Sequence, residues 1–374
     1  MERGRFASFV MIIIFSLPTF SSLVAAEWES DGWIKNLIGP DRLAIGDEFG
    51  CHGFENKDLN EDLWIIEECK DYLLANTNAS RWGKDPISFG TPSGFINDKT
   101  SSELINNGFK IIGDMVSNNP SGLFIVERNG GSIEKNIANI SLIEESPKDS
   151  LVSIYWMARI HDLRVREDKQ FMESLESNAS IWFTTWGEWY NHKLSSNNIE
   201  ITIDKSSIFV TLPIDYNNSW KVPGSIHIHS NKSIMSIKDI EGNNYSALSK
   251  NDQNLKNGWR QVEDGIIATI NPGETIVLEM ENLSNFSLIS DPLYTFNDLH
   301  HSVTVVGHHV TNMREWASDF LESPILFTWL IERASEPSFN WPIIIIAIGT
   351  LIATPIAIRW LIIMDAKHII DYTD

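Results

Sequence analysis

Positive charge is scarce in this chain. Lys and Arg number 29 against 50 Asp and Glu, a net charge of -21 at pH 7, and the isoelectric point lies near 4.8. A nucleic-acid binder needs a basic footprint, so that class is excluded. The negative surplus suits solubility on an exposed surface. Cysteine is nearly absent, with only Cys51 and Cys69 in 374 residues. In an oxidising compartment the two could pair, one from a strand and one from the following helix; the alternative is two buried free thiols. The sequence has no phosphate-cradling glycine loop, no Gly-x-Ser-x-Gly elbow and no His-Glu-x-x-His, and the chemistries built on those motifs go with them. Internal repeats and low-complexity segments are missing too. Long apolar runs are confined to the two ends.

The first run has the form of a secretory signal. Two arginines precede apolar Phe9–Leu17, and Val24-Ala25-Ala26 offers small residues for cleavage, which predicts a signal peptide over 1–26 and a mature start near Glu27. The second run, Pro342–Met364, matches the roughly 20 residues that cross a bilayer core. Trp341 and Trp360 sit where indoles favour the interface, and Arg359 can snorkel. The expectation is a single-pass protein of the cell membrane with a transmembrane helix over 341–364, a cytoplasmic tail over 365–374 and its bulk outside the cell. Asn-x-Ser sequons at Asn78, Asn139, Asn178, Asn217, Asn231, Asn244, Asn282 and Asn285 fit an extracytoplasmic chain.

Between the ends, two patterns follow one another. From Arg42 to Leu194 short apolar strands alternate with helical periods, which implies parallel βα units. After Ser195-Ser196-Asn197-Asn198, short alternating strands with turns such as Asn271-Pro272-Gly273-Glu274 predict a β-sandwich over 199–290. Residues 291–340 read as a membrane-proximal segment. Within it Trp316, Phe320, Phe327 and Leu330 suggest helix, interrupted at Pro324.

The stretch Ile45 to Leu59 runs from a short strand through Gly50-Cys51-His52-Gly53 into an acidic, helix-starting segment. It resembles the histidine motif of the NodB-homology polysaccharide deacetylases, in which two histidines four residues apart bind a divalent metal. His52 takes the first position and Asn56 the second. Phe89-Gly90-Thr91-Pro92-Ser93-Gly94 is similar to the family's Arg-x-Pro-x-Gly wall of the substrate groove, with Gly90 where the family has arginine. Ile160-His161-Asp162 resembles the late strand whose histidine acts as general acid, and Trp182 to Glu188 the closing strand and helix. The family's opening strand with Thr-Phe-Asp-Asp has no counterpart ahead of His52. The resemblance therefore implies an α/β fold: an incomplete (β/α) barrel of the deacetylase type over 27–195, shortened at its start.

Amide hydrolysis on a sugar needs a metal that lowers the pKa of bound water, with a base and an acid. A tight zinc site wants at least three protein ligands. The resemblance implies His52 as one ligand, with Asp47 or Asn56 as further candidates, His161 as general acid, and Thr91, Pro92 and Gly94 along the substrate groove. One divalent metal or none is the cofactor expectation. The implied partner is a cell-surface polysaccharide or glycan. Three readings stay open: a degenerate deacetylase homologue that keeps the groove, an active metal-dependent deacetylase with an altered site, and a surface scaffold or adhesion module. The alternative for His52 is a strand-end histidine hydrogen-bonded to a neighbour. His227 and His229 share one strand face and can grip a metal or line a solvated face. His300-His301 and His308-His309 fit a surface as well as a pH sensor. Trp182, Trp186 and Trp189 suit either sugar stacking or a core.

Overall fold

The computed structural model describes residues 40–371 except 56, 93, 134–136, 158–168, 205–206, 231–233, 281–287, 309–321 and 334–340. The predicted signal peptide lies outside this range. A short helix α1 (Pro40–Ile45) leads into β1 (Glu48–Phe54), α2 (Trp64–Asn76), β2 (Ser88–Thr91), α3 (Asp98–Asn106), β3 (Ile111–Asp114) and β4 (Phe124–Val126). Then come α4 (Ile140–Glu144), β5 (Leu151–Met157), α5 (Lys169–Glu176), β6 (Ile181–Phe183) and α6 (Trp186–Asn197). Strands β7 (Glu200–Asp204) and β8 (Ser207–Thr211) pair with β13 (Thr275–Met280) and β10 (Ile234–Asp239) in one antiparallel sheet. Strands β9 (Gly224–Ser230), β11 (Gly258–Val262), β12 (Gly265–Ile270) and β14 (Leu288–Leu293) form a second. Ile208, Val210, Ile226, Ile228, Ile266 and Ile276 fill one core between the two sheets, a β-sandwich.

The chain then returns to the first sheet. Strands β15 (His301–His308) and β16 (Phe327–Arg333) complete the order β4-β3-β2-β1-β16-β15-β5, every pair parallel, with β6 joining the start of β15. Residues 130–133 run parallel to β5, where Gly130 N–H donates to Ser153 O and Tyr155 N–H to Gly131 O. That contact nearly closes the sheet into a barrel. The barrel expected over 27–195 is therefore corrected in one respect: two of the sheet's strands come from the segment read as membrane-proximal, and the sandwich is inserted between two parts of the sheet. Phe327 and Leu330 are strand residues, not helical ones. Hemmed between β1 and β15 and buried from Phe327 to Ile331, β16 reads as a continuous apolar run, which periodicity cannot separate from buried helix. Trp316 and Phe320 lie outside the described residues.

Alternation along the strands divides the core. Phe49, Cys51, Phe89, Ile112, Val152, Ile154 and Ile331 belong to the layer packed with the helices. There Cys51 of β1 and Cys69 of α2 are joined as a disulfide. Ile111, Leu151, Tyr155, Val306 and Leu330 share the second cluster with Trp186, the first residue of α6. The Trp186 indole donates to Ser153 Oγ at 3.1 Å, and its backbone N–H to Thr328 Oγ1 at 3.1 Å. A Cβ at Gly113 would stand 2.4 Å from that indole, so only glycine leaves room for it. The barrel interior is thus filled by side chains, as barrels of this size are.

Helix α7 (Trp341–Asp371) belongs to a separate unit, Ser335–Asp374. It contains Ile344–Ile363, 20 residues long and apolar enough to cross a membrane, none of it buried.

Candidate functional site at the barrel mouth

In parallel (β/α) architecture, side chains at the carboxyl ends of the strands converge on one face, where loops leave room for a ligand. Five polar residues meet there. His52 comes from β1, Asp114 ends β3, Arg128 follows β4, Tyr155 lies near the end of β5 and Glu332 near the end of β16. His52 Nε2 and Asp114 Oδ2 are 2.8 Å apart, and His52 Nδ1 lies 3.5 Å from Glu332 Oε2. All three side chains are almost wholly buried. Arg128 Nη1 donates to Asp114 Oδ1 at 3.0 Å, and its guanidinium sits 4.3 Å over the Tyr155 ring. Arg128 alone of the charged members keeps about a quarter of its side chain in solvent, 24 %.

The backbone supports this geometry. Asp114 adopts the left-handed region at φ 72, a conformation that Asp and Asn tolerate better than other side chains. Its N–H donates to Tyr155 Oη at 3.0 Å. A Cβ at Gly90 would approach His52 Cδ2 to 2.7 Å and Leu330 Cδ1 to 2.4 Å. Glycine at position 90 is thus what admits His52.

Electrostatics follow from burial and pairing. Burial by itself depresses the His52 imidazole, but hydrogen bonding to Asp114 and Glu332 and their negative charges overcome it and raise the pKa from 6.5 to about 9. At neutral pH the ring is an imidazolium that donates to a carboxylate on one side and faces another on the opposite side. Burial, then the Asp114 charge, pushes the Tyr155 phenol well above its ordinary range, so it stays neutral.

Among the described residues, the mouth does not assemble a complete catalytic metal site. His52 Nε2 and Asp114 share one side of the ring, while Glu332 lies on the other. Among the described residues, two convergent donors are one short of the three a tight zinc site needs. Arg128 already occupies the second oxygen of Asp114. Asp47, proposed from sequence as a third ligand, precedes β1 at its other end. Its carboxylate accepts from Arg42 Nη2 at 2.6 Å, Phe327 N at 3.0 Å and Trp329 Nε1 at 2.9 Å, which makes it a buried tie between α1 and β16. Asn56 and His161 lie outside the described residues.

Thr91 ends β2, buried and in register with Asp114. Pro92 is exposed and Gly94 half-buried; Gly94 O accepts from the Ser117 hydroxyl at 2.6 Å, which ties the loop after β2 to the loop after β3. Those loops also expose Phe95 (60 %) and Met115 (51 %). Of the two uses open to Trp182, Trp186 and Trp189, the structure shows core: they are at most 5 % exposed. His301 is also buried, its Nδ1 3.2 Å from Ser146 Oγ.

Sequence reasoning missed Asp114, Arg128, Tyr155 and Glu332. The available signal was an acid closing a short apolar strand, as in Ile111-Ile112-Gly113-Asp114 and Leu330-Ile331-Glu332. No known protein-family model, curated protein or solved structure matches the chain.

Proposed function

We propose that this chain is a membrane-anchored surface protein whose barrel mouth binds a carbohydrate-class ligand, in the manner of a polysaccharide deacetylase that no longer carries metal-dependent hydrolysis. The observation that carries the reading is the convergence of His52, Asp114 and Glu332 from three strands on one end of the barrel. The motifs at His52 and at Thr91-Pro92-Ser93-Gly94 support the family likeness. So does β16, which lies against β1 and carries an acid, Glu332, near its end, the kind of element whose absence ahead of His52 spoke against the family. The rim supports a sugar ligand: the loop after β2 exposes the aromatic face of Phe95, and Arg128 keeps a partly exposed donor fork at Asp114. Loss of hydrolysis rests on the donor geometry, with two convergent ligands and an imidazolium between carboxylates.

The test uses the full chain in detergent with oligomers of N-acetylglucosamine. Calorimetric binding is expected, weakened at least five-fold by Phe95→Ala and by Arg128→Ala, with no acetate released whether or not zinc is added. Absence of binding across acetylated and unacetylated amino-sugar oligomers sinks the carbohydrate assignment. Zinc-dependent acetate release that His52→Gln abolishes would establish an active enzyme instead.

A further inference from the structure

A second constellation lies on the inserted sandwich. Alternation along β9 turns Ile226 and Ile228 into the sandwich core and sets His227 and His229 side by side on the other face. Their ring centroids are 3.8 Å apart. Asp264, in the tight turn between β11 and β12, reaches both: His227 Nε2 lies 3.1 Å from Oδ1 and His229 Nδ1 lies 2.8 Å from Oδ2. One ligand atom from each of these residues falls within 4.8 Å of the others. Strand β14 supplies a fourth group, Asp291, whose Oδ2 is 3.1 Å from His229 Nε2.

We propose that His227 Nε2, His229 Nδ1 and Asp264 form a binding site for a divalent transition metal of the zinc class. Two imidazoles and a carboxylate are a donor set that suits zinc and leaves the fourth position of a tetrahedron to water or to a partner's side chain. Asp291 completes the arrangement. By accepting a hydrogen bond from His229 Nε2–H, it fixes the tautomer in which Nδ1 carries the lone pair available to a metal between Asp264 and His227. A carboxylate behind a ligating histidine is the usual outer-shell partner of such sites. The alternative, two histidines on a solvated face, leaves unexplained why the β11–β12 turn and β14 each bring a carboxylate to this pair, Asp264 to both rings and Asp291 to His229. Asp264 and Asp291 are more than half exposed, so an ion has open access, and the ligands sit on a paired sheet that holds them without the metal.

The proposal is tested on the full chain, untagged and stripped with chelator, then dialysed against micromolar zinc chloride and measured for metal by mass spectrometry, with zinc affinity by calorimetry. One zinc per chain is expected. His227→Ala and Asp264→Asn should each abolish retention, Asp291→Asn should weaken affinity by 10- to 100-fold, and His52→Gln should leave it unchanged. All four variants are followed by circular dichroism; the outward side chains of the sandwich positions predict folded variants there, His52→Gln is compared at a temperature where it remains folded, and Asp291→Asn tests the site without removing a ligand. No retained zinc, or zinc retained equally in His227→Ala and Asp264→Asn, overturns the proposal. Zinc lost in His52→Gln but not in His227→Ala would move the metal to the barrel and equally overturn it.

Discussion

His52 carries a positive charge that the barrel holds out of water, and the direction of its pKa shift fixes how stability depends on pH. In the unfolded chain the ring titrates near 6.5 and in the folded protein near 9. Below pH 6.5 both states are protonated and the full contribution is present. Between 6.5 and 9 the folded state keeps a proton that the unfolded state has released, so stability falls as pH rises through this window. The total is about 3 kcal/mol at 1.36 kcal/mol per unit. Urea unfolding from pH 6 to 10 should therefore show a declining midpoint in the wild type. Glu332→Gln removes one of the two carboxylates that raise the ring and should narrow the window. His52→Gln should remove this pH dependence and lower stability by about 3–5 kcal/mol, because the buried Asp114 and Glu332 lose the cation between them. An unchanged slope in His52→Gln would show that another group titrates. The mouth was half legible in residues: His52 announces itself near glycines, whereas Asp114 and Glu332 are ordinary acids whose meaning appears only when β16 is laid beside β1 and β3 is placed one strand beyond it on the other side.

At the scale of elements, the barrel is discontinuous in sequence. Strands β5 and β1 are not neighbours; β15 and β16 stand between them, paired to β5 over Ser302–His308 and to β1 over Thr328–Arg333. Residues 27–195, which sequence reasoning set apart as a domain, thus contain a sheet with its middle removed. Expressed alone, this segment should show no cooperative thermal transition, whereas a chain ending at 334 should melt as one unit. A sharp transition in the 27–195 fragment would mean that β1 and β5 can close on each other directly. The same topology explains what was legible. Strand–helix alternation up to α6 and the alternating strands of the sandwich are local patterns, and they were read from local sequence. The return of the chain to the barrel after β14 is a long-range event with no local signature. An apolar run such as Phe327–Ile331 is compatible with helix until its two partner strands are known.

For the whole molecule, the governing contrast is between an acidic barrel–sandwich unit and an apolar helix. Ser335 begins the second unit, so removing it deletes none of the packing inside Met1–Ala334. Within α7, Ile344–Ile363 at 1.5 Å per residue spans about 30 Å, the thickness of a bilayer's hydrocarbon core. Ile346, Leu351 and Ile356 are 64–78 % exposed, and a helix apolar on every side needs either a protein interior or lipid. Pro355 lies inside it, a residue that membrane helices tolerate better than soluble ones. In detergent phase separation the full chain should enter the detergent phase, and the chain ending at 334 should remain in the aqueous phase with an unchanged melting temperature. A full chain found in the aqueous phase would mean that another protein surface covers α7. A truncated chain with a lowered melting temperature would mean that α7 packs on the barrel–sandwich unit, and the membrane reading would fail on that result as well.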